Sequence, residues 1–264
     1  MLFKNLIKLL LVNFIFFVNP TLASQLLSHK ATYNLNVENI KENSFLEGGQ
    51  GQTFFEINEV CDGWNVKEDY VLIYELPNKK TANSISSYTT FENIRGTKHS
   101  FELNEKSEFN GENTYQGFAE KINDKILVSI IKQSIKKKSF KEKLLFPVEH
   151  LRKVIEAAQK GETLFTSKVF FGNEDKNLVK IVSAFISKER KSKFRNIEYL
   201  RDKMIWPIKL AFYTNDKKNI NPDYEITLEL DQFGVVHTYL VNYGDFEVRA
   251  TLKKFKMIDK QKCK

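Results

Sequence analysis

The chain has 264 residues, with 41 lysines and arginines against 33 aspartates and glutamates, a net charge of +8. That length is ample for one all-β domain with a real core, or for two smaller ones. The basic excess is modest and no helix-turn-helix or RNA-binding signature accompanies it, so nucleic acid is not an expected partner. Two cysteines without a CxxC pair leave thiol redox chemistry without support.

Residues 1–23 read as a secretory signal peptide. Lys4 and Lys8 give the basic start, 9–18 is an almost wholly apolar run, and Thr21-Leu22-Ala23 ends it with small residues. Cleavage after Ala23 would start the mature chain at Ser24. The run is shorter than the ~20 residues a spanning helix needs and Pro20 follows it, so the chain is not expected to span the membrane. Without Lys4 and Lys8 the remainder holds 39 basic residues against 33 acidic ones, a net charge of +6 that would suit anionic lipid or acidic partners. Export also bears on Cys61 and Cys263, 202 positions apart. In an oxidising compartment an even pair is expected to form one disulfide; separate free or intermolecular thiols are the alternative.

Beyond the signal, nearly every segment alternates apolar and polar residues with period two, the pattern of strands with one face buried. Tyr33, Leu35 and Val37 open the series, followed by 52–60, 64–76, 85–91, 99–103, 115–122 and 125–131. Asp62-Gly63, Asn110-Gly111 and Asn123-Asp124 are hairpin dipeptides between them. A helix is expected over 147–160. Val148, Leu151, Ile155 and Ala158 recur at helical spacing, Pro147 suits the first turn, Glu149 complements the dipole and Gly161 can stop the helix. Its apolar stripe is most simply a face packed on a sheet, with a ligand-gating lid as the alternative. Strands resume at 163–171, 178–186, 205–213, 224–231, 235–241 and 246–252. About fourteen strands and one helix make an all-β, mainly antiparallel protein, and so many strands must curl: a β-spiral or partly closed barrel over 24–264 is expected.

No chemistry can be placed. His29, His99, His150 and His237 fall in different elements without ligand partners, and GxSxG and HExxH are absent. Glu68-Asp69 and Glu174-Asp175 are adjacent carboxylates, but neighbours on a strand face opposite ways. No catalytic residue, metal ligand or cofactor is therefore assigned, and the chain is read as non-enzymatic. Gly48-Gly49-Gln50 matches the tripeptide of peptide-release factors, yet a glycine cluster is more simply a turn or bulge needing positive φ. The basic stretches 132–143 and 188–195 are solvated faces or contacts for anionic surfaces. Phenylalanine is abundant, 22 against ten tyrosines, and could fill the core or line an apolar ligand site.

Several short motifs together resemble the EipB-like cell-envelope integrity proteins, exported proteins of Gram-negative bacteria. They are His29-Lys30-Ala31-Thr32-Tyr33, Cys61-Asp62-Gly63-Trp64, and Leu145-Phe146-Pro147-Val148-Glu149-His150. The series continues with 157–162, Val169-Phe170-Phe171-Gly172, Trp206-Pro207, Tyr243-Gly244-Asp245-Phe246 and Cys263. The resemblance implies a periplasmic β-spiral with a helix inside its curve and a Cys61–Cys263 disulfide. It also implies a shape similar to lipoprotein-carrier half barrels, a role in envelope integrity under stress without established enzymatic activity, and a periplasmic tetratricopeptide-repeat partner. Two functions follow as expectations: envelope maintenance through protein contacts, or a carrier or sensor holding an envelope lipid or other apolar ligand in the concave sheet. The ligand-binding residues are not identified by either.

Overall fold

The computed structural model describes residues 25–131, 135–172, 178–215 and 221–263. The expected signal peptide and the Glu174-Asp175 pair lie outside them. The alternating segments form one antiparallel sheet of fifteen strands. Strands β1 (His29–Glu38), β2 (Gly48–Val60), β3 (Gly63–Leu76), β4 (Lys80–Asn93), β5 (Lys98–Ser107), β6 (Gly111–Ile122), β7 (Lys125–Ile131) and β8 (Ile135–Phe140) follow one another as a meander. After helix α1 (Pro147–Gln159) a second meander runs through β9 (Leu164–Phe170), β10 (Val179–Ile186), β12 (Met204–Thr214), β13 (Tyr224–Asp231), β14 (Val236–Asn242) and β15 (Glu247–Met257). The two-residue strand β11 (Arg190–Lys191) is an appendage on β12.

Pairing of β1 with β15, from His29↔Met257 to Glu38↔Glu247, joins the two meanders into one sheet. Edge strands β8 and β9 do not pair with each other. Leu145, just before the helix, instead bonds to β9: its N–H donates to Lys168 O and its carbonyl accepts from Phe170 N–H, both at 2.9 Å. The sheet is therefore curled and nearly shut at that point without being a closed barrel, which is how a twisted sheet this wide disposes of its accumulated rotation.

Helix α1 lies inside the curl. Pro147 stands in its first turn, and the N–H groups of Val148 and Glu149 donate to Glu92 on β4 at 2.8 and 2.9 Å. A carboxylate from the sheet thus supplies the cap that Phe146 lacks. At the other end Gly161 takes φ +74°, and the N–H groups of Gly161 and Glu162 reach back to Ala158 O and Ala157 O. Val148, Val154, Ile155, Ala157 and Ala158 pack against Ile57, Trp64, Ile186, Trp206, Ile208 and Leu230. Full burial of a side chain such as Ile155 contributes roughly 1.5–3 kcal/mol. The packed-face reading of the helix is the one the structure adopts.

Cys61, at the tip of the β2–β3 hairpin, is bonded to Cys263, with the Cα atoms 5.4 Å apart. The tail reaches it by running back along the sheet, where Ile258 N–H donates to Ser28 O at 2.9 Å and Lys260 pairs with Glu59 at 2.9 Å.

One sequence expectation is overturned and two gain detail. Gly48, Gly49 and Gly51 lie within β2 rather than in a turn, and none has positive φ. At Gly51 the reason for glycine is close approach, since a Cβ would stand 2.0 Å from Val71 O. The basic run around 132–143 contains a strand, β8, whose lysines occupy an exposed sheet edge; lysines there discourage pairing with another chain. The stretch 188–195 keeps Lys188, Lys191, Lys193 and Arg195 exposed, with Ser192 buried beneath them.

Candidate functional site

The interior of the curl has two ends, and only one is filled. Each strand feeds both. On β3 the inward positions Trp64 and Val66 face the helix, while Glu68, Tyr70 and Tyr74 farther along line an open cavity of about 660 Å³. On β13, Leu230 and Leu228 face the helix, and Ile226 and Tyr224 face the cavity. The remaining walls come from β1, β4, β5, β14 and β15, with Phe109 and Asn110 at the β5–β6 turn and Tyr243 and Phe246 at the β14–β15 turn. Six of the ten tyrosines stand in this wall: Tyr70, Tyr74, Tyr88, Tyr224, Tyr239 and Tyr243. The cavity is within the size range of small-molecule sites and is built on strands rather than loops.

Tyrosine contacts fix the wall. Tyr33, buried behind the wall, donates to Val236 O at 2.7 Å and meets Tyr239 edge to face, centroids 5.5 Å apart. Tyr88 donates to Phe171 O across the curl. Tyr74 packs edge-on against Phe109 and Phe246, and Tyr224 stacks on Phe212 at 4.5 Å. Burial, reinforced by the Glu68 charge, pushes the Tyr88 and Tyr239 phenols well above their ordinary range. Tyr243 is pushed up to about 12 by desolvation, then by the Tyr74 and Glu68 charges, although half of its surface stays exposed at the cavity mouth. Tyr88, Tyr239 and Tyr243 are therefore neutral hydroxyls at physiological pH.

Glu68 is the unusual group. Its partner in sequence, Asp69, faces outward to Lys67 and Ser87, while Glu68 points into the cavity. Among the described residues its carboxylate accepts one hydrogen bond, from Thr53 Oγ1 at 3.5 Å, and that hydroxyl has a closer acceptor in Asp69 O at 3.0 Å. Desolvation raises its pKa above the ordinary carboxylate value; the Thr53 contact opposes the rise and Asp69 adds to it. What surface Glu68 keeps is cavity wall, so it is accessible to a ligand without being at the outer surface.

A profile of EipB-like proteins matches residues 20–259. The chain belongs to the EipB-like family. The cell envelope integrity protein EipB of Brucella abortus (strain 2308) is 23% identical over 247 residues, covering 92% of this chain and 88% of that protein. The crystal structure of a beta-barrel-like protein of a domain of unknown function, also from Brucella abortus, superimposes with a TM-score of 0.82 at 22% identity. That likeness covers 89% of this chain and 99% of the solved one, and it is one of fold.

Of the features singled out in the sequence, the cysteines sit at the helix end, remote along β3 from the cavity. The histidines are separate and buried. Desolvation lowers His99 and His150 to about 4 and lowers His29 as well. Among the described residues no group of three His, Cys, Asp or Glu side chains could hold a metal. Phenylalanine is the minor aromatic of the lining: Phe109 and Phe246 stand there beside six tyrosines, while Phe101, Phe146 and Phe170 fill a separate cluster.

One constellation that sequence reading missed is Ser192, His237 and Asp231. Ser192 Oγ lies 2.9 Å from His237 Nδ1, and His237 Nε2 lies 3.6 Å from Asp231 Oδ2. The three are 1%, 0% and 1% exposed, and Asp231 also accepts the N–H groups of Phe233 and Val235 at 2.9 Å. A substrate carbonyl has no approach to this serine, so the cluster pins the 188–203 segment to the β13–β14 turn. Its members are too far apart in sequence for any local motif.

Proposed function

We propose that this chain contributes to the integrity of the cell envelope as a non-enzymatic binding protein that holds an amphiphilic small molecule in the tyrosine-lined cavity. The observation that carries the reading is the division of the interior: one end packed by α1, the other left as an open, rigid-walled cavity of about 660 Å³ with rings, hydroxyls and two carboxylates on its wall. The envelope role is supported by family membership and by the name of the Brucella abortus relative. The protein would act in the periplasm as one β-spiral domain, 24–264, after removal of residues 1–23. The Cys61–Cys263 bond suits that oxidising compartment, and no helix among the described residues is long and apolar enough to cross a membrane.

Native mass spectrometry of the protein released from the periplasm tests this reading. The expected result is a mature chain from Ser24, lighter by two hydrogens, carrying an amphiphile adduct whose removal lowers the melting temperature. A ligand present at a hundred times its Kd stabilises the fold by about 2.7 kcal/mol. A bare chain that melts identically before and after delipidation counts against it.

A second reading has one observation in its favour. On the outer face of β3 and β4, Val71 and Ile85 are directly paired and 41% and 47% exposed, with Ile73 beside them at 41%. An exposed apolar patch of this kind suits a protein contact such as the tetratricopeptide-repeat partner. Loss of envelope resistance in a Val71→Ser, Ile85→Ser double variant with intact ligand binding would favour it.

A further inference from the structure

We infer that the ligand of this cavity carries a positively charged amine or quaternary ammonium group, seated among tyrosine rings against Glu68. This deepens the binding reading above and rests on it. The whole chain has a net charge of +8, yet among the described residues no lysine, arginine or histidine lines the cavity. Its two charged lining residues are both acids, Glu68 and Glu105. Among the described residues neither is in an ion pair, whereas Glu38, Glu56, Glu59 and Asp69 each have a lysine or arginine within 4.0 Å.

An ionised carboxylate held in a largely desolvated wall without a countercharge is costly, and burial pushes it towards the neutral acid. Tyr88 from β4, Tyr239 from β14 and Tyr243 beyond it line the same cavity as Glu68, and its charge raises the phenols of all three. The face of each ring is the negative part of its quadrupole. A cation placed there would compensate the carboxylate in a cavity whose wall is rich in such rings. An anionic headgroup would instead meet two carboxylates, and a neutral ligand would leave Glu68 uncompensated. The apolar remainder of the wall, including Leu35, Ile226 and Val248, takes the uncharged body.

Isothermal titration with octyltrimethylammonium, octyl glucoside and octyl sulfate, each below its micelle concentration, separates the cases. The expected result is that the cation binds at least tenfold tighter than the other two. Its affinity should fall about tenfold in Glu68→Gln, with octyl glucoside affinity unchanged, and it should rise with pH as Glu68 ionises. Should Glu68→Gln fail to fold, Tyr239→Leu replaces it, with the same selective loss expected. Equal binding of the neutral amphiphile, preference for the sulfate, or a cation preference retained in folded Glu68→Gln would overturn the ammonium assignment while leaving a binding cavity. If none of the three binds at millimolar concentration, both the assignment and the binding reading fall.

Discussion

The same strands build two different interiors. At the helix end they present Trp64, Ile208 and Leu230 to α1, and the buried carboxylate of Glu92 is used up as a helix cap. At the open end the register continues with tyrosine and serine, and its carboxylates have no such employment. One half is a core and the other is an open cavity. The difference lies in whether each inward polar group already has a partner within the fold: Glu92 does, while Glu68 has one long contact.

This contrast predicts where stability resides. Both Cys61→Ser and Cys263→Ser should lose the same amount under oxidising conditions, up to about 5 kcal/mol in the chain-entropy model for a loop of 202 positions. Because the bond lies at the helix end, amphiphile affinity at the other end should change less than about twofold. Urea unfolding and titration of the same samples check both parts, and a wild-type unfolding curve in either variant would remove the disulfide from the account. Trp64→Ala, at a site 2% exposed, should cost about 3–5 kcal/mol, against about 1 kcal/mol for Tyr74→Ala in the cavity wall, where space already exists.

Glu92 gives the helix end a pH dependence of definite sign. Burial raises its pKa from 4.5 to about 7, against the lowering effect of the Val148 and Glu149 N–H groups. A carboxyl whose folded pKa is raised contributes stability that is fully present below about 4.5 and is lost as pH rises through about 7. Between those values wild type should lose about 3 kcal/mol relative to Glu92→Gln, whose amide does not titrate. Unfolding free energies of the two proteins that run parallel from pH 4 to 8 would show that Glu92 ionises normally.

Much of this fold was legible because period-two alternation survives wherever one face of a strand is buried. The helix was marked by Pro147 and Gly161, and its end fell at Gln159, one residue short of the expected 160. Strand β8 was hidden because Lys136-Lys137-Lys138 on an exposed edge has no buried face to report. The cavity was harder. Its tyrosines come from β3, β4, β13, β14 and the turn beyond β14, and only the β1–β15 pairing brings those strands to opposite walls of one space. One signal was available. Trp64 and Val66 set the inward register of β3, and Glu68 follows at the next inward position, a charge where an apolar residue is expected. Reading Glu68-Asp69 only as a pair discarded it; the pair does face opposite ways, and the inward member is the one of interest.

The smallest expected effects bear on what the tyrosines supply at the open end. Tyr243 is 49% exposed, so Tyr243→Phe and Tyr243→Leu should each change stability by less than about 0.5 kcal/mol. They should differ in binding. If the ring face holds a cation, phenylalanine keeps the affinity for octyltrimethylammonium. Leucine, with no quadrupole, should lose roughly two- to fivefold, the equivalent of about 0.5–1 kcal/mol for an exposed cation–π contact. If the hydroxyl is the operative group, the order changes: phenylalanine and leucine lose alike. Octyl glucoside affinity, measured on the same variants, separates loss of ring electrostatics from loss of apolar area, since leucine still covers part of the surface that the ring covered.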